Sequence, residues 1–299
     1  MTAPLLVHGA DDAQVDGVRC EAGFVDTADG RLFTVRHLAR TDPIGTVVVC
    51  SSLFAEEHTD YRRDFQLAQR LAGAGIATAR FHYRGVGNSA PGAGAQSLAA
   101  FARDARSIAG VLATPRDVKS GTSRLGFVGI GPGALVAAAA AARRDGSPVV
   151  LWKPVADGER YFRDLLRARL IAATRTGQTV TTQDVLDALA AHGWADVMGF
   201  RVTATLRDSL VTARLSDLGP GDPREVLFQP FRGSRATEAA RALDTWSKAG
   251  NTVTTQPTTL PEDPWFIPDA AETSGEVAAL ENDLIEHTWT WLRSMWSQP

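Results

Sequence analysis

The stretch Ser123-Arg124-Leu125-Gly126-Phe127-Val128-Gly129-Ile130-Gly131-Pro132-Gly133-Ala134-Leu135-Val136, followed by a run of alanines, constrains this chain more than any other segment. A short apolar run enters a tight turn of alternate glycines and leaves as small residues of high helix propensity. That is a strand feeding directly into a helix. The same rhythm repeats on both sides. Thr46-Val47-Val48-Val49-Cys50, Ile76 to Phe81 and Ser147 to Trp152 read as further strands, and continuous apolar runs of this kind belong to sheets covered on both faces. Helices fall between them: one with Phe65, Leu67, Ala68 and Leu71 on its apolar positions and ended by Gly73 and Gly75, one over roughly 96–113, and one over 133–144. Strand and helix alternating at this spacing imply a parallel sheet with right-handed crossovers.

The ends of the chain depart from that rhythm. Residues 5–9, 18–25 and 30–38 alternate weakly and predict antiparallel strands, with Asp29-Gly30 turning the last two into a hairpin. Residues 155–220 predict helices at about 158–173, 182–191 and 203–215, a cap over the carboxyl edge of the sheet. The alternation resumes with a strand at 225–229, a helix over 234–248 and a strand near 251–256. An irregular loop over 261–268 then leads to a final helix at about 274–296, whose aromatic residues are expected to pack on the sheet.

Composition narrows the function classes. At 299 residues and 44% apolar content the chain can build one large core. A net charge of −3 gives no reason to expect nucleic acid, and 28 of the 31 basic residues are Arg, with only Lys119, Lys153 and Lys248 as Lys. Cys20 and Cys50 lie in separate segments with neither metal spacing nor a disulfide framework, so a reducing cytoplasm is the expected compartment. Met1 to His8 lacks the basic and apolar regions of a signal peptide, and the alanine run at 137–142 is too short to span a bilayer. No cofactor or metal is expected. Gly129-Ile130-Gly131-Pro132-Gly133 lacks the third glycine of a dinucleotide fingerprint, and its proline disrupts an amide nest; Glu56-Glu57-His58 has no compact metal spacing.

Strand, glycine turn and helix in this order match the nucleophile elbow of an α/β-hydrolase, whose pattern is Gly-x-Ser-x-Gly. Gly129 and Gly133 stand at the outer positions, but the nucleophile position is Gly131. Glycine adopts the positive φ of the elbow without strain, so the shape can persist after its catalytic use is lost. In this fold the N–H after the nucleophile donates to the oxyanion, and here that residue is Pro132, which has none. Losing one such donor typically costs about 3 kcal/mol in the transition state. The loop expected to hold the acid, Gln229-Pro230-Phe231-Arg232-Gly233, contains no carboxylate, and the only histidine after the last strand is His287, well inside the final helix. An ordinary Ser-His-Asp hydrolase is therefore disfavoured by several separate absences.

Several segments resemble the exosortase A system-associated hydrolases of the second type, within the serine aminopeptidase-like group of the α/β-hydrolase superfamily. Those proteins carry Pro-Pro-Phe-x-Glu-Glu-x-Asn-x-x-Arg-Arg after their first long parallel strand, where this chain has Ser51-Ser52-Leu53-Phe54-Ala55-Glu56-Glu57-His58-Thr59-Asp60-Tyr61-Arg62-Arg63. Their next loop is similar to Phe81-His82-Tyr83-Arg84-Gly85-Val86-Gly87-Asn88-Ser89, and their Trp-Gln-Pro-Val segment to Trp152-Lys153-Pro154-Val155-Ala156-Asp157-Gly158. Weaker matches cover Val197-Met198-Gly199-Phe200 and Pro264-Trp265-Phe266. The resemblance implies an α/β-hydrolase fold: a mostly parallel central sheet with antiparallel N-terminal strands, its core built from residues 1–154 and 221–299 and its helical cap from 155–220. The family's elbow often reads Gly-Leu-Arg-Leu-Gly, already without serine.

Two function classes follow. One is a hydrolase or acyltransferase-like enzyme on an acyl, ester, thioester or amide substrate, working through other residues. Cys50, at a strand's carboxyl end, would be the nucleophile and His82 its base, although a core cysteine is the commoner role. Glu56 and Glu57, in the loop bordering the pocket, would supply acid–base chemistry or bind a cationic group, against a solvated or helix-capping role. The other class is a pseudoenzyme that binds a hydrophobic ligand or a protein partner, including a second copy of itself. Ser51, Leu53, Arg84, Trp152 and Trp265 are the expected pocket residues; Arg84 either binds an anion or braces its own loop.

Overall fold

The computed structural model describes residues 12–15, 17–91, 96–112, 124–144, 146–219, 222–261 and 275–296. The expected strand at 5–9 and Trp265 lie outside the described residues. β1 (Asp12–Val15), β2 (Val18–Thr27) and β3 (Gly30–Leu38) are antiparallel, and Thr27 pairs with Gly30, so Ala28 and Asp29 form the two-residue turn of the hairpin. β4 (Gly45–Cys50), β5 (Ile76–Phe81), β6 (Leu125–Ile130) and β7 (Val149–Trp152) form the parallel centre. A hairpin of β8 (Trp194–Val197) and β9 (Phe200–Thr203) stands apart, and β10 (Glu225–Gln229) and β11 (Thr252–Thr255) complete the sheet. Its order is β1-β2-β3-β5-β4-β6-β7-β10-β11. This is the α/β-hydrolase topology, as the sequence predicts.

Side-chain alternation along the central strands divides the core in two. Val48, Cys50, Phe127, Leu151 and Phe228 face a cluster built with α2 (Leu98–Leu112), α3 (Gly133–Ala141) and α7 (Ser234–Lys248). Val47, Val49, Val128, Ile130 and Trp152 face the other way, onto α1 (Ala55–Gly73) and α8 (Gly275–Trp296). Both faces are covered, which is why the strands carry apolar residues at successive positions. Trp296 and Leu292 close the second layer, so the last helix packs on the sheet as expected, while His287 on it is exposed.

Between β7 and β10 the chain forms α4 (Gly158–Arg175), α5 (Thr182–His192), the β8–β9 hairpin and α6 (Ala204–Val211). The hairpin is a correction to the all-helical expectation. Val197 pairs with Phe200, leaving Met198 (φ 56°) and Gly199 (φ 84°) as the turn. Both central residues sit at positive φ, the geometry that lets a two-residue loop match strand twist. Methionine at the first of these positions hides the usual Asn-Gly or Asp-Gly signal. A second correction concerns α1. It begins at Ala55, so Glu56, Glu57 and His58 occupy its first turn rather than a loop, where carboxylates are favoured by the helix dipole.

Candidate functional site

The elbow keeps its shape. Gly131 has φ 55°, its N–H donates to Trp152 O (3.0 Å), and its carbonyl accepts from Ala134 N (3.1 Å). Pro132 follows at φ −67° and ψ −22°, ready-made for the start of α3. A Cβ on Gly133 would lie 2.3 Å from the carbonyl oxygens of Cys50 and Ser51, so only glycine lets α3 approach the end of β4 this closely. At Gly131 the space a nucleophile would use is filled. A Cβ there would meet Glu56 Oε2 at 2.7 Å and Ser52 Oγ at 2.8 Å.

Those two atoms belong to a buried polar network. Along α1, residues 56, 60 and 63 recur at helical spacing and turn Glu56, Asp60 and Arg63 inward. Lys153, at the end of β7 with φ 39°, places Nζ 3.0 Å from Asp60 Oδ1 and 3.7 Å from Glu56 Oε2. Arg235 of α7 reaches Glu56 Oε1 (3.0 Å), and Arg63 bridges Asp60 (3.1 Å) to Glu281 of α8 (2.8 Å). Ser52 Oγ donates to Asp60 Oδ2 and lies 3.1 Å from Ile130 O. Burial disfavours the charged form of Asp60, but Lys153, Arg63 and the Ser52 hydroxyl outweigh it and hold the carboxyl below its usual range. Lys153 is pulled down by the same burial and held up by Asp60 and Glu56, ending above its ordinary value. One turn further on, Asp64 has the opposite fate. Burial and the neighbouring Asp60 charge push it up to about 7, with a Ser51 hydrogen bond opposing.

This packing yields a direct expectation. Gly131→Ser forces a side chain against Glu56 and Ser52 at a positive-φ position, and should cost about 1–3 kcal/mol of stability. It should restore no ester hydrolysis, because Pro132 still lacks the N–H and Glu56 occupies the nucleophile's place. Urea unfolding and an aryl-ester assay on the variant check both parts.

The open space lies elsewhere. A cavity of about 560 Å³ opens between the start of α1, the loop after β5, α2 and the tip of the β8–β9 hairpin, within the size range of small-molecule sites. Leu53, Phe54, Phe101, Met198 and Phe200 give it an apolar wall. Phe54 holds φ 58° and ψ −140°, a strained backbone for a non-glycine residue that turns the chain into α1. Glu57, His58 and His82 supply polar groups. Burial pushes Glu57 above the usual carboxylate range, with Arg80 partly opposing. His82 is pushed down by burial and by Arg80, and its Nδ1 accepts from Asn88 N (3.0 Å), so the neutral ring carries its proton on Nε2.

The expected residues thus separate. Leu53, Glu57 and His82 come together at the cavity. Glu56 is 1% exposed and belongs to the ion network under the elbow instead. Cys50 is fully buried in the apolar core, where burial pushes its thiol up, and it is not on the cavity wall. Ser51 accepts from Tyr83 through its carbonyl (3.0 Å). Trp152 is a core residue whose Nε1 lies 2.7 Å from Gln229 Oε1 and 3.0 Å from Thr288 Oγ1. The Arg84 side chain is held by carboxylates outside its loop rather than by loop carbonyls: Asp104 of α2 (Nε–Oδ1 3.1 Å) and Asp29 of the β2–β3 turn (2.9 Å). Sequence reading missed Tyr61, Met198 and Phe200 at the cavity, and Ser52, Asp60, Lys153, Arg235 and Glu281 in the network. The only visible signals were the 56–60–63 spacing and a lysine ending an apolar strand. Among the described residues, no group of three or more His, Cys, Asp or Glu is placed to hold a metal, and no helix is long and apolar enough to cross a membrane.

No protein-family model matches the chain, and no curated protein matches its sequence. Solved structures do match in fold. A hypothetical protein from Pseudomonas aeruginosa superposes with a TM-score of 0.55 at 14% identity, over 90% of this chain and 95% of that one. An α/β serine hydrolase without a lid from Xanthomonas campestris gives 0.51 at 17% identity, over 93% and 94%. DcsB in complex with its substrate analogue gives 0.58 at 13% identity, over 92% and 98%. What these likenesses establish is the fold: this chain is an α/β-hydrolase-fold protein.

Proposed function

We propose that the protein is a pseudoenzyme at its elbow and a binder of a small, largely apolar molecule in the cavity beside it, beneath a cap formed by residues 155–220. The carrying observation is the occupied elbow: ion-paired Glu56 and hydrogen-bonded Ser52 stand where a nucleophile's side chain would go, next to a proline that cannot donate. The cavity supports the binding half, since apolar walls with a few polar groups are the ordinary make-up of ligand sites. A small ligand is favoured over a protein partner because, among the described residues, the exposed large apolar residues Tyr61, Ile171 and Trp194 lie on separate elements. The likeness of Leu53-Phe54-Ala55-Glu56-Glu57 to the exosortase-associated hydrolases supports a site at the start of α1. Cytoplasmic residence is supported by two buried free thiols.

The second reading is an enzyme of acyl transfer or hydrolysis. It is favoured by one observation: a carboxyl raised by burial, Glu57, and a neutral imidazole, His82, share the cavity wall. A panel of aryl esters and acyl thioesters separates the two. Binding without chemistry predicts turnover no faster than buffer, no covalent adduct by intact mass, and a small molecule released from the purified protein by organic solvent. Turnover that disappears in Glu57→Gln, His82→Ala or Cys50→Ala would sink the pseudoenzyme reading and name the working residue.

A further inference from the structure

We propose that the cavity selects an organic ammonium ion, seating its charge at Glu57 and its aryl or alkyl body against Phe54 and Phe200; this rests on the binding reading above. The geometry begins with α1. Phe54, Glu57, His58 and Tyr61 stand at helical spacings of three, four and seven, so one stripe presents aromatic groups and a carboxylate together to the same cavity. The hairpin supplies the opposite wall, where Phe200 lies edge-on to Phe54 (centroids 6.4 Å apart) and against the His58 ring (5.3 Å).

Glu57 is the unsatisfied member of this wall. Glu56 beside it is held by Arg235 and Lys153, whereas the half-buried Glu57 carboxylate makes no hydrogen bond or ion pair among the described residues. Two arginines stand by this wall with no ion pair among the described residues: Arg80 lies over the Tyr61 ring at 4.6 Å, and Arg201 of the hairpin lies over Trp194 at 4.6 Å. A carboxylate in a desolvated setting gains from a charge-assisted donor, and aromatic faces attract the same cation through their quadrupole. A ligand carboxylate or phosphate would bring a second negative charge beside Glu57. The cost of burying Glu57 charged explains why its carboxyl is raised, and a bound ammonium would reverse that shift.

Three probes sharing one body test this: 4-phenylbutylammonium, 4-phenylbutanol and 4-phenylbutyrate, titrated calorimetrically at pH 7.5 into the full chain. The ammonium should bind about tenfold or more tighter than the alcohol, as a charge-assisted hydrogen bond requires, with the carboxylate weakest. Glu57→Gln should erase the ammonium's advantage and leave the alcohol unchanged. Phe200→Ala, in the hairpin, should weaken the ammonium and the alcohol by similar factors, which places the body independently of Glu57. Equal affinity for all three probes, or an ammonium affinity untouched by Glu57→Gln, would overturn the ammonium selectivity while leaving the cavity a binding site. Failure of every probe to bind the folded wild type would overturn both.

Discussion

Lys153→Met is expected to lower the stability of the protein by about 3–5 kcal/mol, the usual cost of removing one partner from a buried ion pair. Lys153 is 5% exposed and stands between Asp60 and Glu56, which are themselves 0% and 1% exposed. Methionine keeps the length and apolar stem of lysine but leaves both carboxylates short of a cation. Arg63 and Arg235 remain, so the loss should not exceed that range. Urea unfolding at pH 7 gives the magnitude. A change below about 1 kcal/mol would show that water enters the network and that Lys153 is not its keystone. The loss should fall largely away in Lys153→Met/Asp60→Leu, because removing the uncompensated charge together with the cation removes most of the penalty.

Asp64→Asn is expected to act through pH. Asp64 is 2% exposed, and its carboxyl is pushed from 3.8 up to about 7 in the folded protein. The folded state therefore holds this proton more tightly than the unfolded chain does. Its contribution to stability is complete below about pH 4 and is lost as pH rises through about 7. The variant has no proton to lose, so its stability should stay level across that window. At pH 8 it should exceed the wild type by up to about 4 kcal/mol, the free-energy equivalent of a shift of about three pKa units. Asp60, held below its usual range, acts in the opposite sense and at lower pH: its contribution disappears as pH falls through its depressed value. The two windows are separate. Urea titrations at pH 5 and pH 8 on both proteins decide the matter; identical pH slopes would mean that Asp64 is charged and compensated in the fold.

A helix that serves two sites explains why the first turn of α1 was hard to read. Glu56 and Glu57 are adjacent in sequence, yet consecutive helical residues point about 100° apart. One carboxylate enters the network under the elbow and the other faces the cavity. Adjacent residues need not face one site, and placing these two in a loop leaves out the helical geometry that separates them. The hairpin was lost for a related reason: its four-residue strands are too short for a period, and methionine at positive φ replaced the usual turn residue.

What the chain's residues determined by themselves is local. The alternating apolar strands, the helix between each pair and the glycine turn at 129–133 specify the layered fold, because periodicity and backbone freedom belong to each segment. The missing serine and the missing N–H were equally legible, since they are properties of Gly131 and Pro132 and need no neighbour. Only the tertiary structure decided what replaced them. Strand order and register bring Lys153 at the end of β7 and Arg235 on α7 to Asp60 and Glu56 on α1, and Glu281 on α8 to Arg63, across up to 218 positions of chain. The same packing seals Cys50 inside and leaves the open space beside Glu57 and His82. Burial and the charge of a distant neighbour set the chemistry of each acid and base, and neither is written in the residue's own surroundings along the chain.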